Sequence, residues 1–213
     1  MRPFLGPLLA ASLGLCTVAC TSIPPSAMAQ LALLDPLTMK PADIRVVVTF
    51  PDGIRLKQGD VVMDIVWKNA ETGAETKRHF ALELVTGNAV APKIGRMLRE
   101  DERLYLLMLN AADAERFQEM QAEVLKARSA GAEGTGSLSV GFAGGCTADP
   151  SLKSGPVRTS VLLRPDGESG YIPVFADMDL MGVLKTAGLR EVPACEDGLA
   201  GMVTAPATPD AAQ

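Results

Sequence analysis

Two short stretches constrain the fold more than any other part of this chain. Over 61–68, Val61, Met63, Ile65 and Trp67 recur at every second position, with Asp64 and Lys68 between them. Over 44–50, Ile44, Val46, Val48 and Phe50 alternate in the same way with Arg45, Val47 and Thr49. Successive side chains of an extended backbone point to opposite faces, so a period of two predicts half-buried strands. Such strands must bury their apolar faces against a second layer.

Turn signals separate the runs. Pro51-Asp52-Gly53 follows the first, where proline pre-sets its backbone angle and glycine permits positive φ. Thr72-Gly73 leads into a third run, in which Phe80, Leu82 and Leu84 alternate with His79, Ala81 and Glu83. These three runs read as an antiparallel meander. Leu104 to Leu109 reads as a short buried strand, and 137–142 and 157–164 as further strands. Pro165-Asp166-Gly167 turns the last of these into 171–176. The repeated strand, PDG turn, strand pattern is too short to count as an internal repeat.

One main helix is expected over 111–130. Asn110 caps it, Asp113 suits its positive end, and Gly131 stops it. Ala114, Phe117, Met120, Val124 and Ala127 follow steps of three and four, giving one apolar face. A shorter helix is expected over 179–187. The expected fold is therefore α+β: an antiparallel sheet or flattened sandwich of six or seven strands, with one main helix packed on it. The domain is placed at 43–200. Residues 21–42 hold four prolines and no sustained period, which predicts a flexible tether touching the fold at most through Leu31 to Leu34. The Pro/Ala/Thr tail, 201–213, is expected to be disordered.

The first twenty residues, MRPFLGPLLAASLGLCTVAC, place Arg2 before an apolar run from Phe4 to Val18. A run of about 15 residues fits a secretory signal and is short for a membrane span. Thr17-Val18-Ala19-Cys20 resembles the lipobox of bacterial lipoproteins, with Thr17 in place of the more usual leucine. The resemblance implies removal of 1–19 by cleavage between Ala19 and Cys20, and lipid on Cys20. Several acyl chains, at ~0.8 kcal/mol per buried methylene, would then anchor the protein stably. Thr21 is not the aspartate that favours inner-membrane retention in that family, which points to the outer membrane. The alternative is cleavage after Ala27-Met28-Ala29, releasing a soluble periplasmic protein that begins at Gln30. The strand Gly136-Ser137-Leu138-Ser139-Val140-Gly141 leading to Cys146, with Cys195 near the end, also looks like an uncharacterised periplasmic lipoprotein domain.

Export sets the expectation for the remaining cysteines. Cys16 leaves with the signal and Cys20 takes lipid, so Cys146 and Cys195 meet an oxidising compartment. They are expected to form a disulfide, with two buried free thiols as the alternative. No C-x-x-C points to redox chemistry. The net charge of −5 and the lack of basic blocks disfavour nucleic-acid binding.

Catalytic and cofactor patterns are weak throughout. The one histidine, His79, sits on the outward row of its strand beside Lys77 and Arg78, where a solvated role is expected. Around Ser139 the nucleophile-elbow pattern fails, because Ser137 occupies the place of its first glycine. The glycine-rich stretch 131–145 leaves a helix and enters a strand, the reverse of a phosphate loop, so no nucleotide is expected. Asp177-Met178-Asp179-Leu180-Met181-Gly182 begins like a calcium loop. It fails at Met181 and again at Gly188, leaving Asp179 as a helix cap. Glu115, Glu119 and Glu123 form a solvated helix edge, and Trp67 shares the inward parity of Ile65. No catalytic residue, metal site or cofactor is expected.

These features together predict a lipid-anchored, exported cell-envelope protein without catalytic activity. It would meet the membrane through acyl chains on Cys20 and serve as an interaction or assembly module with an envelope protein partner. The alternatives are a periplasmic carrier or sensor of an apolar ligand and, further off, a hydrolase working through carboxylates alone.

Overall fold

A strand buried on both faces organises the molecule. The computed structural model describes residues 25–85, 99–186, 188–196 and 199–200. In chain order these form α1 (Pro25–Ala32), β1 (Arg45–Pro51), β2 (Ile54–Arg55), β3 (Val61–Asn69), β4 (Glu75–Ala81), β5 (Glu83–Leu84) and β6 (Glu102–Met108). There follow α2 (Ala111–Ser129), β7 (Gly134–Phe142), β8 (Cys146–Thr147), β9 (Arg158–Arg164), β10 (Ile172–Asp179), α3 (Leu180–Thr186), β11 (Cys195–Glu196) and β12 (Leu199–Ala200). A five-stranded sheet has the order β10-β9-β1-β6-β5, and a three-stranded sheet the order β4-β3-β7. Two short ladders, β2-β8 and β11-β12, lie outside them.

The class is α+β with one main helix, as expected, but the strands exceed six or seven. The excess comes from two-residue ladders too short to leave a periodic signal. The expected meander is also corrected. β3 pairs with β4, Met63 lying opposite Phe80, whereas β1 belongs to the other sheet between β6 and β9. Alternation identifies the face of a strand and is silent about its neighbour. Here Val47 decides the matter: it has no exposed surface and lies opposite both Leu106 and Leu162. The outward positions of β4 offer Lys77 and His79 instead, which suit solvent.

The main core lies between the sheets. Val46, Val48 and Phe50 of β1 belong to the same buried cluster as Val61, Met63, Ile65 and Trp67 of β3. α2 adds Phe117, Met120 and Val124, with the Phe117 ring centroid 5.8 Å from that of Phe80. Its start is capped as expected: Asp113 N donates to Asn110 Oδ1 at 2.8 Å. Gly134 opens β7 because a Cβ there would lie 2.6 Å from the Trp67 indole.

The amino-terminal stretch differs most from expectation. From residue 25 onward the predicted tether is structured and largely docked. α1 lies along β10, Pro36, Leu37 and Met39 are buried, and a 3-10 turn, Pro41–Asp43, leads into β1. The reason is a buried polar contact on α2. Gln121 Nε2 donates to the Pro36 carbonyl at 2.8 Å and to the Met39 carbonyl at 2.9 Å. These bonds satisfy backbone acceptors of a segment that has no ladder of its own. Substituting Gln121→Ala should cost about 2 kcal/mol, since both carbonyls lose a donor in a dry site. Urea unfolding should register this as a lower midpoint with an unchanged slope.

Candidate functional site

The disulfide and the sheet edges define what this domain can do. Cys146 and Cys195 are bonded, with their Cα atoms 5.0 Å apart and a separation of 49 in sequence. Cross-linking a loop of that length restricts the unfolded chain by ~4 kcal/mol in the entropy model. Two backbone bonds of 2.8 Å, Thr147 N to Pro193 O and Val192 N to Lys153 O, dock the same carboxy-terminal arm. Cys20 and Ala19 lie outside the described residues, as does the tail 201–213.

The singled-out polar residues are employed structurally. His79 is exposed, and its Nδ1 lies 3.0 Å from Asp64 Oδ1, directly across the β3–β4 pair. Lys77 Nζ approaches the same carboxylate at 3.7 Å. Asp179 Oδ1 accepts from Met181 N at 3.1 Å and from Val157 N at 3.2 Å, capping α3 and fastening it to the start of β9. Asp177 has positive φ in the irregular part of β10 and pairs with Arg99 at 3.3 Å and Arg158 at 3.8 Å. The two carboxylates of the calcium-like sequence are thus turned to separate partners. Glu123 pairs with Arg78, while Glu115 and Glu119 are exposed. Ser137 and Ser139 stand on the outer face of β7, exposed. No group of three or more His, Cys, Asp or Glu side chains is arranged to hold a metal among the described residues.

What the fold does build is an apolar groove. It measures about 400 Å3 and lies between β7 and the β9–β10 edge of the other sheet. Leu138 and Val140 form one wall, Leu163, Val174 and Phe175 the other, and Leu31, Leu34, Pro36 and Met39 the end. Pro36 reaches β7 at Gly136, where a Cβ would come to 3.4 Å from its ring. A second, solvent-open cleft of about 760 Å3 runs between α1 and the 165–172 turn and is lined by Asp35, Lys40, Asp43, Asp166 and Glu168. Shape and lining make the first groove suited to an apolar occupant, and the β7 edge beside it suited to an added strand.

Sequence reasoning missed the groove because its end wall is the segment read as a tether. The run of Leu31 to Leu34 was the available signal, and the partner that holds it, Gln121, carries no pattern of its own. Comparison with known proteins gives no match: no family model, no curated protein and no solved structure is similar to the chain.

The two PDG turns share an electrostatic feature. The Asp166 carboxylate accepts from Ser169 N and Glu168 N and from the Ser169 hydroxyl, and the Ser169 bonds foremost hold its pKa below the usual 3.8. Asp52 is held below 3.8 by its hydrogen bond and charge interaction with Arg103. Both groups therefore bind a proton more weakly in the folded state. The stability they add is full above the unfolded carboxyl range and is lost as pH falls through the lower folded values. Acid titration of stability should show this loss beginning near pH 4. It should be shallower for Asp166→Asn, measured by urea midpoint at stepped pH.

Proposed function

We propose that the protein is an exported, non-catalytic module of the bacterial cell envelope, anchored by lipid on Cys20 and acting by binding and assembly. The observation that carries this reading is the Cys146–Cys195 disulfide. Such bonds persist in oxidising compartments, which agrees with a signal ending at Cys20. The bond also accounts for the two cysteines of the folded domain, leaving Cys20 as the cysteine for lipidation. The β7 edge and its groove supply a binding surface. The Ala27-Met28-Ala29 alternative would cut within α1 and discard Ala27, which is fully buried; cleavage at Cys20 keeps α1 whole.

The anchor is tested by Cys20→Ala. The wild-type chain should partition into the detergent phase of a membrane extract and the variant should not. Equal detergent partitioning of both, or release of soluble protein starting at Gln30 from the unaltered chain, would sink the anchor.

The groove supports a second reading, a carrier of an apolar ligand. Native mass spectrometry of protein extracted from its own membrane separates the two. Assembly predicts a mass accounted for by the chain and the lipid on Cys20. A further lipid retained in a one-to-one ratio would assign the groove to a carrier.

A further inference from the structure

The free edge of β7 is the least protected strand edge among the described residues. Strand edges expose N–H and C=O groups to any second strand, and proteins blunt them by brevity, charge, proline, bulges or covering elements. β5 is two residues long. β10 carries Pro173, two register shifts and α1 laid along it. β4 carries Glu75, Lys77, Arg78 and His79 and lies beside α2. β7 runs for nine residues, GTGSLSVGF, with no charge, no proline and an unbroken register against β3.

The ladder determines which of its groups face outward. Ala70 N donates to Glu133 O and Ala143 N to Asp60 O, both at 2.8 Å, and both pairs continue the β3–β7 register. Odd-numbered residues of β7 therefore exchange bonds with β3, because bonded and non-bonded pairs alternate in an antiparallel ladder. The N–H and C=O groups of Gly134, Gly136, Leu138, Val140 and Phe142 point out of the sheet.

We propose that β7 pairs antiparallel with β7 of a second copy of this chain, about a two-fold axis at Leu138, joining the two small sheets into one. The strand is complementary to itself in that register. Leu138 meets its own copy, Gly136 meets Val140, Gly134 meets Phe142, and every outward N–H finds a C=O. On the inner side each bulky residue beyond Leu138 faces a glycine, so no two large side chains compete across the seam; the glycines themselves are covered within their own chain, Gly134 by the Trp67 indole and Gly136 by the Pro36 ring. On the outer side Ser137 faces Ser139, where hydroxyls bond across strands. A strand from an unrelated protein would need no such symmetry, whereas a two-fold contact requires it. The axis stands perpendicular to the sheet, so both inner faces lie on one side. The rims of the two apolar grooves, Leu31, Leu34 and Phe175, are thereby drawn together.

This pairing deepens the assembly reading and rests on it; the test leaves the anchor as a separate outcome. Two tagged full-length copies, one Ser137→Cys and the other Ser139→Cys, are expressed together in the envelope. In the proposed register these positions oppose each other with Cα atoms about 4.5 Å apart. Identical positions sit diagonally at about 7–8 Å, beyond disulfide reach. The mixed pair should form a covalent dimer at roughly tenfold or more the yield of either variant alone. The double variant Ser137→Lys/Ser139→Lys sets like charges opposite and should abolish association. Adding Ser137→Glu/Ser139→Glu should restore it, while unfolding midpoints show that each variant is folded. Equal yields for mixed and single variants, no dimer from folded variants, or a crosslink from residue 139 to a different protein would each overturn the pairing. Detergent partitioning is scored in the same cells, so a failed crosslink with intact anchoring refutes the pairing and leaves the anchor standing.

Discussion

The two hydrogen bonds from Gln121 to the Pro36 and Met39 carbonyls are the contact on which the arrangement of layers depends. Two sheets stacked without closure would leave their inner rows open to water along the β7 and β10 edges. The 35–39 segment wedges into that opening, setting Leu37 and Met39 in the core and Pro36 against Gly136. A segment without a ladder has carbonyls that must be satisfied one by one, and burying them unpaired costs several times what a surface contact returns. Gln121 meets both with a single amide. From this fixed wedge follow the path of α1 along β10 and the end wall of the groove.

Charge plays a different part. Ion pairs such as Lys77–Asp64, Lys68–Glu75 and Arg78–Glu123 lie on exposed surface, where each contributes at most about 1 kcal/mol. Their larger effect is to mark which surfaces are meant for water. β4 is studded with them and β7 has none. The contrast between the two edges of one small sheet says more about binding than the strength of any pair. The disulfide acts at the far end of the same strand, securing the chain that leaves β7 to the carboxy-terminal arm.

The sequence revealed faces more readily than neighbours. The alternation in β3, the apolar stripe and Asn110 cap of α2, and the Cys146–Cys195 bond were each legible, because each is a local pattern or, for the bond, the pairing favoured by export and an even cysteine count over two free thiols. The partner of β1 was not. Choosing β6 and β9 depends on Val47 meeting Leu106 and Leu162, residues distant in sequence that show no shared signature until they are side by side. The tether was misread for a related reason. Prolines and the absence of a period describe how a segment behaves alone, whereas residues 35–39 are ordered by one amide on a helix more than eighty positions away. The β7 edge was present in the string GTGSLSVGF, but it acquired meaning only when the ladder showed which side stays unpaired.

The early start of α1 alters what an anchor would do. A tether extending to residue 42 would let the domain roam far from the bilayer in any orientation. With the chain docked from Pro25, four residues lie between it and Cys20, and a fully extended backbone over those five steps spans no more than about 18 Å. Under the proposed anchor the domain is leashed close to the headgroups, with the exposed Leu33 at the end of α1. Copies so confined search for one another in two dimensions, which raises their effective concentration without any new contact. A short leash would therefore favour pairing between neighbours on one membrane over capture of proteins from solution.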